Sequence, residues 1–266
     1  MKVAVTSCCI CCILAGGLFT FAHAEQSYSA DEYAFVKLFQ RAQENDAWTS
    51  ASLRNRLLLI REEAAKHSIS SNPVSSRYLI TCYGGPIDLV HFLMLAAEVA
   101  GGKESGPRLY LEWQREGGPE NVFGYNHRSP PAAHPDDLPS NAFGALWGQE
   151  LREAFRKNDQ LDLLTEFCAF MTPLKPVPDK IAQTFSHAEI VMGYPDGRFD
   201  IRLSERQTAW FTASPLVQTD LINRAARQQF GYNLCKTVNT GQEALNHAGF
   251  RVMTYKNTEL LIIRAR

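Results

Sequence analysis

Residues 78–102 read YLITCYGGPIDLVHFLMLAAEVAGG, from Tyr78 to Gly102. Arg77 to Cys82 is apolar and β-branched enough to predict a short buried strand. Gly84-Gly85-Pro86 breaks it, and Ile87 to Ala100 follows as an apolar helix with Asp88 in the first turn, where a carboxylate suits the helix dipole. Gly101-Gly102 stops that helix. The stretch also holds Cys82, Asp88 and His91, so hydrophobicity and reactive side chains coincide. A buried strand feeding a buried helix makes this the expected centre of the core.

Upstream, Ser29-Ala-Asp-Glu32 has the spacing of a capping box and predicts a helix to about Gln43. Leu53, Leu57 and Ile60 recur at helical spacing over about Ser50 to Lys66. Residues 68–76 are polar, contain Pro73 and read as a loop. Leu109 to Trp113 is a second candidate strand. Residues 114–139 carry no periodic pattern and read as a long loop, a length that suits a lid. Helices are expected from Ser140 to about Lys157, from Gln160 to Phe170, from Leu216 to Phe230 and from Thr240 to His247. Strands are expected at His187–Met192, Arg198–Leu203, Phe250–Tyr255 and Glu259–Arg264, the last two forming a hairpin. The expected fold is α+β in a single domain over residues 25–266. Helices come first, and a central apolar helix packs on a mostly antiparallel sheet formed largely by the C-terminal third.

The first 24 residues read as a signal peptide: Lys2, an apolar run to Phe21, then Ala22-His23-Ala24 as a cleavage site. An uncleaved N-terminal anchor is the alternative. The expected location is the periplasm or the exterior, with no membrane association after cleavage. Of seven cysteines, Cys8, Cys9, Cys11 and Cys12 lie in this leader, leaving Cys82, Cys168 and Cys235. Three is odd, so at least one thiol is free or paired between chains in an oxidising compartment. The net charge is −1, with 27 basic and 28 acidic residues and no basic cluster, which argues against nucleic acid as a partner. No cofactor motif is present.

Asp88 and His91 are three residues apart and share a helix face. That pair could orient an imidazole for acid–base work or line a substrate cleft. As metal ligands they lack a third partner in sequence.

Ser186-His187-Ala-Glu-Ile-Val-Met-Gly193, followed by Asp196-Gly197-Arg198-Phe199, resembles the His-bearing strand of NlpC-type papain-like cysteine hydrolases. The resemblance implies His187 as general base and a thiol at a helix start. Cys82 precedes the central helix, but Leu89 stands where that family places its cysteine. Cys235, in GYNLCKTVNTGQEALNHAG, resembles the helix start of circularly permuted relatives, with Asn239 beside it. Cys235 is therefore the expected nucleophile, Cys82 the alternative, and Asp88, His91 and Asn239 the substrate-binding residues. The implied substrate is an amide, such as a peptidoglycan-like envelope peptide.

Gly84-Gly85-Pro-Ile-Asp88-Leu-Val-His91-Phe92 and Asp137-Leu-Pro-Ser-Asn141-Ala-Phe-Gly144-Ala-Leu-Trp-Gly148 resemble paired motifs of uncharacterised bacterial exported or effector-associated domains. That likeness implies no activity and leaves a second functional expectation open. On it the chain is a non-catalytic periplasmic binding or interaction protein, such as a partner or immunity factor of an envelope-acting toxin.

Overall fold

The structure is a computed structural model and describes residues 2–4, 27–66, 77–105, 137–185, 207–238, 241–255 and 258–265. The elements in order are β1 (Lys2–Ala4), β2 (Ser27–Ser29), α1 (Ala34–Gln43), α2 (Leu53–Ala65), β3 (Tyr78–Thr81), β4 (Gly85–Asp88) and α3 (Leu89–Ala100). They continue with α4 (Asp137–Lys157), α5 (Leu163–Met171), a 3-10 turn (Thr172–Leu174), α6 (Asp179–Ala182), α7 (Gln207–Phe230), α8 (Gly241–His247), β5 (Phe250–Tyr255) and β6 (Thr258–Arg264). The fold is α+β. Among the described residues the strands form three separate two-stranded antiparallel ribbons, β1–β2, β3–β4 and β5–β6. The expected strands at Leu109–Trp113, His187–Met192 and Arg198–Leu203 lie outside the described residues. β1 falls within the expected leader, so cleavage after Ala24 would remove it from β2.

The central stretch is a hairpin followed by a helix. The strand expected before the glycines turns back through Gly84 and pairs with Gly85–Asp88, Tyr78 opposite Asp88 and Thr81 opposite Gly85. Two groups make the turn. Thr81 Oγ1 donates to the Gly85 carbonyl (2.8 Å) and accepts from the Gly84 N–H (3.0 Å). Gly85 has φ of 75°, a conformation that costs glycine little. Helix α3 therefore starts two residues later than expected, and Asp88 is its N-cap, accepting from the Val90 N–H at 2.8 Å.

α3 is buried nearly all round, with Phe92, Leu93, Leu95, Ala96, Ala97 and Val99 enclosed. Its main partner is α4, and the fit depends on two glycines one turn apart. A Cβ on Gly144 would lie 2.1 Å from the Phe92 carbonyl oxygen, and one on Gly148 would lie 2.5 Å from that of Ala96. Because Gly144 faces Phe92 and Gly148 faces Ala96, the two helices run in the same direction with their N-termini together. Removing side chains at both contacts lets the backbones touch, which raises packing density along the seam.

Aromatic rings fill the space around this pair. Phe92 stacks on Trp147 with centroids 5.4 Å apart, and Phe167 meets Phe35, Phe39, Phe92 and Trp147 at 4.9–5.6 Å. Burying each such ring contributes about 1.5–3 kcal/mol. The hairpin β5–β6 closes one side: Arg264 lies over Phe170 and Phe250 at 4.9 and 4.7 Å and pairs with Glu150 at 2.9 Å.

The capping box forms differently from expectation. Ser29 Oγ donates to Glu32 (3.2 Å), but the residues make a turn before α1. A segment far away in sequence meets this end of the helix: the Asp179 N–H on α6 donates to the Glu32 carbonyl at 2.8 Å, and the Ala34 N–H lowers the pKa of the Asp179 carboxyl.

Candidate functional site

Two polar centres flank the β3–β4 hairpin. At its open end Asp88 is fully buried and caps α3. The Arg77 guanidinium binds its carboxylate through both arms, Nε to Oδ1 at 2.9 Å and the second arm to Oδ2. Such a two-pronged pair is a strong, oriented form of ion contact. The Asp88 backbone N–H donates to Ser140 Oγ at 2.8 Å, which ties the start of α3 to the start of α4. Asp88 is thereby engaged on every side by structure, and its carboxylate is a poor candidate for direct substrate contact. His91 follows one turn on and is half-buried. Next to Ser140, Asn141 is 1% exposed, and among the described residues neither Oδ1 nor Nδ2 has a hydrogen-bond partner. Among the described residues no group of three His, Cys, Asp or Glu side chains could hold a metal ion.

At the turn end lies the chief departure from expectation. Cys82 and Cys235, the two candidate nucleophiles, are bonded to each other, with Cα atoms 5.4 Å apart. Both are buried. Nucleophilic attack needs a thiolate, and a sulfur in a disulfide is none, so in this state neither Cys235 nor Cys82 can take the role assigned to it. The bond is held from several directions. Asn223 on α7 grips the Cys235 backbone, donating from Nδ2 to its carbonyl (2.9 Å) and accepting its N–H at Oδ1 (2.7 Å). Thr219, one turn earlier, donates to the Cys82 carbonyl at 3.3 Å. The Cys82 and Tyr83 N–H groups donate to the carbonyls of Lys175 and Leu174 at 3.0 and 3.1 Å. Lys175 reaches this position with φ of 57°, left-handed for a residue with a side chain. The Lys236 N–H donates to Tyr83 Oη at 3.1 Å, and the Tyr83 ring meets His247 edge-on at 4.8 Å.

Cys168 is the third cysteine beyond residue 24. It is buried in α5, and burial first, then the charge of Asp162, pushes its pKa up to about 12. It is chemically quiet.

The two centres are separate. Cys82 follows β3 at the turn and Asp88 ends β4, so the strand alone sets them about 10 Å apart at roughly 3.3 Å per residue. His187, the expected base, and Asn239 lie outside the described residues. Sequence reasoning missed Arg77, Ser140, Thr219 and Asn223. A signal existed for Ser140, which sits in the quoted Asp137–Gly148 motif. Asn223 and Thr219 lie within an ordinary helical pattern that marks neither.

No family model, curated protein or solved structure matches this chain.

Proposed function

We propose that this chain acts as an exported binding or interaction protein, such as a partner or immunity factor of an envelope-acting toxin, rather than as a cysteine hydrolase. The observation that carries the reading is the Cys82–Cys235 bond, which consumes both candidate nucleophiles and sits inside a hydrogen-bonded cage. Disulfides persist in oxidising compartments such as the periplasm, which suits the leader-like first 24 residues. The engagement of Asp88 by Arg77, Ser140 and Val90 supports the same reading, because it takes a carboxylate out of the expected substrate cleft.

The test has two arms. The oxidised and the reduced protein are each incubated with peptidoglycan fragments, and released amines are followed. In parallel, chemical cross-linking in envelope extract is read for a stoichiometric partner. The expected result is no hydrolysis in either redox state and one recovered partner. Hydrolysis by the reduced protein, abolished by Cys82→Ser or by Cys235→Ser, would restore the amide hydrolase, with His187 as its base.

A further inference from the structure

The C-terminal end of α7 presents two aromatic rings to solvent. Phe230 is 36% and Tyr232 58% exposed, and they are the exposed large hydrophobic side chains among the described residues. Their rings stack with centroids 5.8 Å apart and planes at 21°. Gly231 between them has φ of 78° and open space where a Cβ would be, which is how the chain turns to bring both rings to one side.

This turn is pinned. Arg227 donates to Asn233 Oδ1 at 2.6 Å, Asn223 holds the Cys235 backbone on both sides, and Cys235 is bonded into the core through Cys82. Aromatic rings kept exposed on a rigid support lose little conformational freedom when covered, the property of anchor residues at interfaces.

One cation lies over a ring, and three more are close by in sequence. Lys180 Nζ lies 6.0 Å from the Phe230 centroid. Arg227 is one turn before Phe230, Arg224 one turn before that, and Lys236 follows Cys235; all four cations are exposed. None forms an ion pair among the described residues. Asp179, next to Lys180, and Glu32 both act on Tyr33, as Tyr232 does, so these two acids mark the edge of the surface. Asp220, one turn before Arg224, is the acid on the same stretch of helix.

We propose that Phe230 and Tyr232, with Lys180, Arg227 and Lys236, dock an acidic peptide segment of a protein partner. Its carboxylates meet the cations, and a proline or aromatic side chain covers the rings. This rests on the interaction-protein reading above and names the chemistry of the partner. Sugars also stack on aromatic rings, but a neutral glycan would leave the cations unused.

The full-length oxidised protein is titrated with a fluorescein-labelled Glu-Glu-Pro-Phe-Glu-Glu peptide, its Gln-for-Glu counterpart and a neutral N-acetylglucosamine hexamer. The acidic peptide binds, and raising salt from about 50 to about 300 mM weakens it several-fold. Phe230→Ser/Tyr232→Ser and Lys180→Gln/Lys236→Gln each weaken it about tenfold, a change of roughly 1.4 kcal/mol, while the melting temperature stays at the wild-type value. Failure of the acidic peptide to bind, equal binding of the Gln peptide, indifference to both double variants, or binding of the glycan alone would each overturn the proposal. The envelope cross-linking separates the two claims. If Phe230→Ser/Tyr232→Ser captures the partner as well as wild type, this surface is wrong and the interaction reading stands. If wild type captures none, the interaction reading itself fails.

Discussion

Cys82 and Cys235 are joined across 153 positions of sequence, and Asn223 holds the second of them by its own N–H and carbonyl. The bond ties the β3–β4 turn to the segment that leaves α7. It therefore couples the centre of the core to the surface that bears Phe230 and Tyr232.

Closing so long a loop removes much entropy from the unfolded chain. Cys82→Ser/Cys235→Ser should lower stability by about 3–5 kcal/mol, read as a shift of the urea midpoint. Wild-type protein in reductant should shift toward the same midpoint. A variant as stable as wild type would show that the bond does not constrain folding.

Alkylation maps the thiols independently. In native protein Cys168 should resist iodoacetamide, since burial raises its pKa to about 12. Denaturant alone should expose Cys168, and Cys82 and Cys235 should label only after reduction as well. Labelling of Cys82 or Cys235 in unreduced, denatured protein, seen by peptide mass mapping, would contradict the pairing.

The α3–α4 seam tolerates no added atom. Gly144→Ala places a Cβ 2.1 Å from a backbone oxygen that cannot swing aside, and Gly148→Ala places one at 2.5 Å. Overpacking costs about 1–3 kcal/mol, so both variants should melt earlier, Gly144→Ala the more. Equal or higher melting temperatures by differential scanning calorimetry would mean that the helices are not in backbone contact.

The Arg77–Asp88 pair and Asn141 should respond in opposite senses. Asp88→Asn keeps a capping side chain but leaves Arg77 without its carboxylate, at a cost of about 3–5 kcal/mol for breaking a buried pair. Asn141→Leu removes two buried polar atoms that have no hydrogen-bond partner among the described residues and should stabilise by about 1–3 kcal/mol. Chemical denaturation of the two variants checks both signs, and loss of stability in Asn141→Leu would reveal a partner for its amide.

Asp179 makes stability depend on pH. Burial raises its pKa from 3.8 to about 6, against the smaller opposing effects of the Ala34 N–H and Lys37. The folded state thus holds the proton more tightly than the unfolded chain, and stability falls as pH rises. Its contribution is complete below about pH 4 and is lost as the pH passes about 6. Asp179→Asn keeps the size of the side chain and removes the charge. It should gain about 1–3 kcal/mol at pH 8 relative to wild type and little at pH 4. Parallel unfolding curves at the two pH values test this, and an equal effect at both would remove Asp179 as the titrating group.

What was legible in sequence was local. Apolar spacing marked Leu53, Leu57 and Ile60 as one helix face, and all three are buried. The two strands expected at Phe250–Tyr255 and Glu259–Arg264 pair as the β5–β6 hairpin. Gly101 marked the end of α3. Boundaries moved where a local signal had two readings. Gly84-Gly85 predicted a break, but only the return of the chain onto Tyr78–Thr81 made residues 85–88 a strand and moved Asp88 from the first turn to the cap.

By itself the sequence determined the helical segments among the described residues, the C-terminal hairpin and the odd number of cysteines beyond residue 24. Tertiary structure alone decided which cysteines pair, what holds Asp88, why Gly144 and Gly148 must be bare, and which segment meets the start of α1. The reason is range. Periodicity, capping and turn formation act between residues a few positions apart, where the covalent chain sets the geometry. Pairing Cys82 with Cys235, or Asp179 with the Glu32 carbonyl, depends on where the packed core carries each segment, and no short window of sequence holds that.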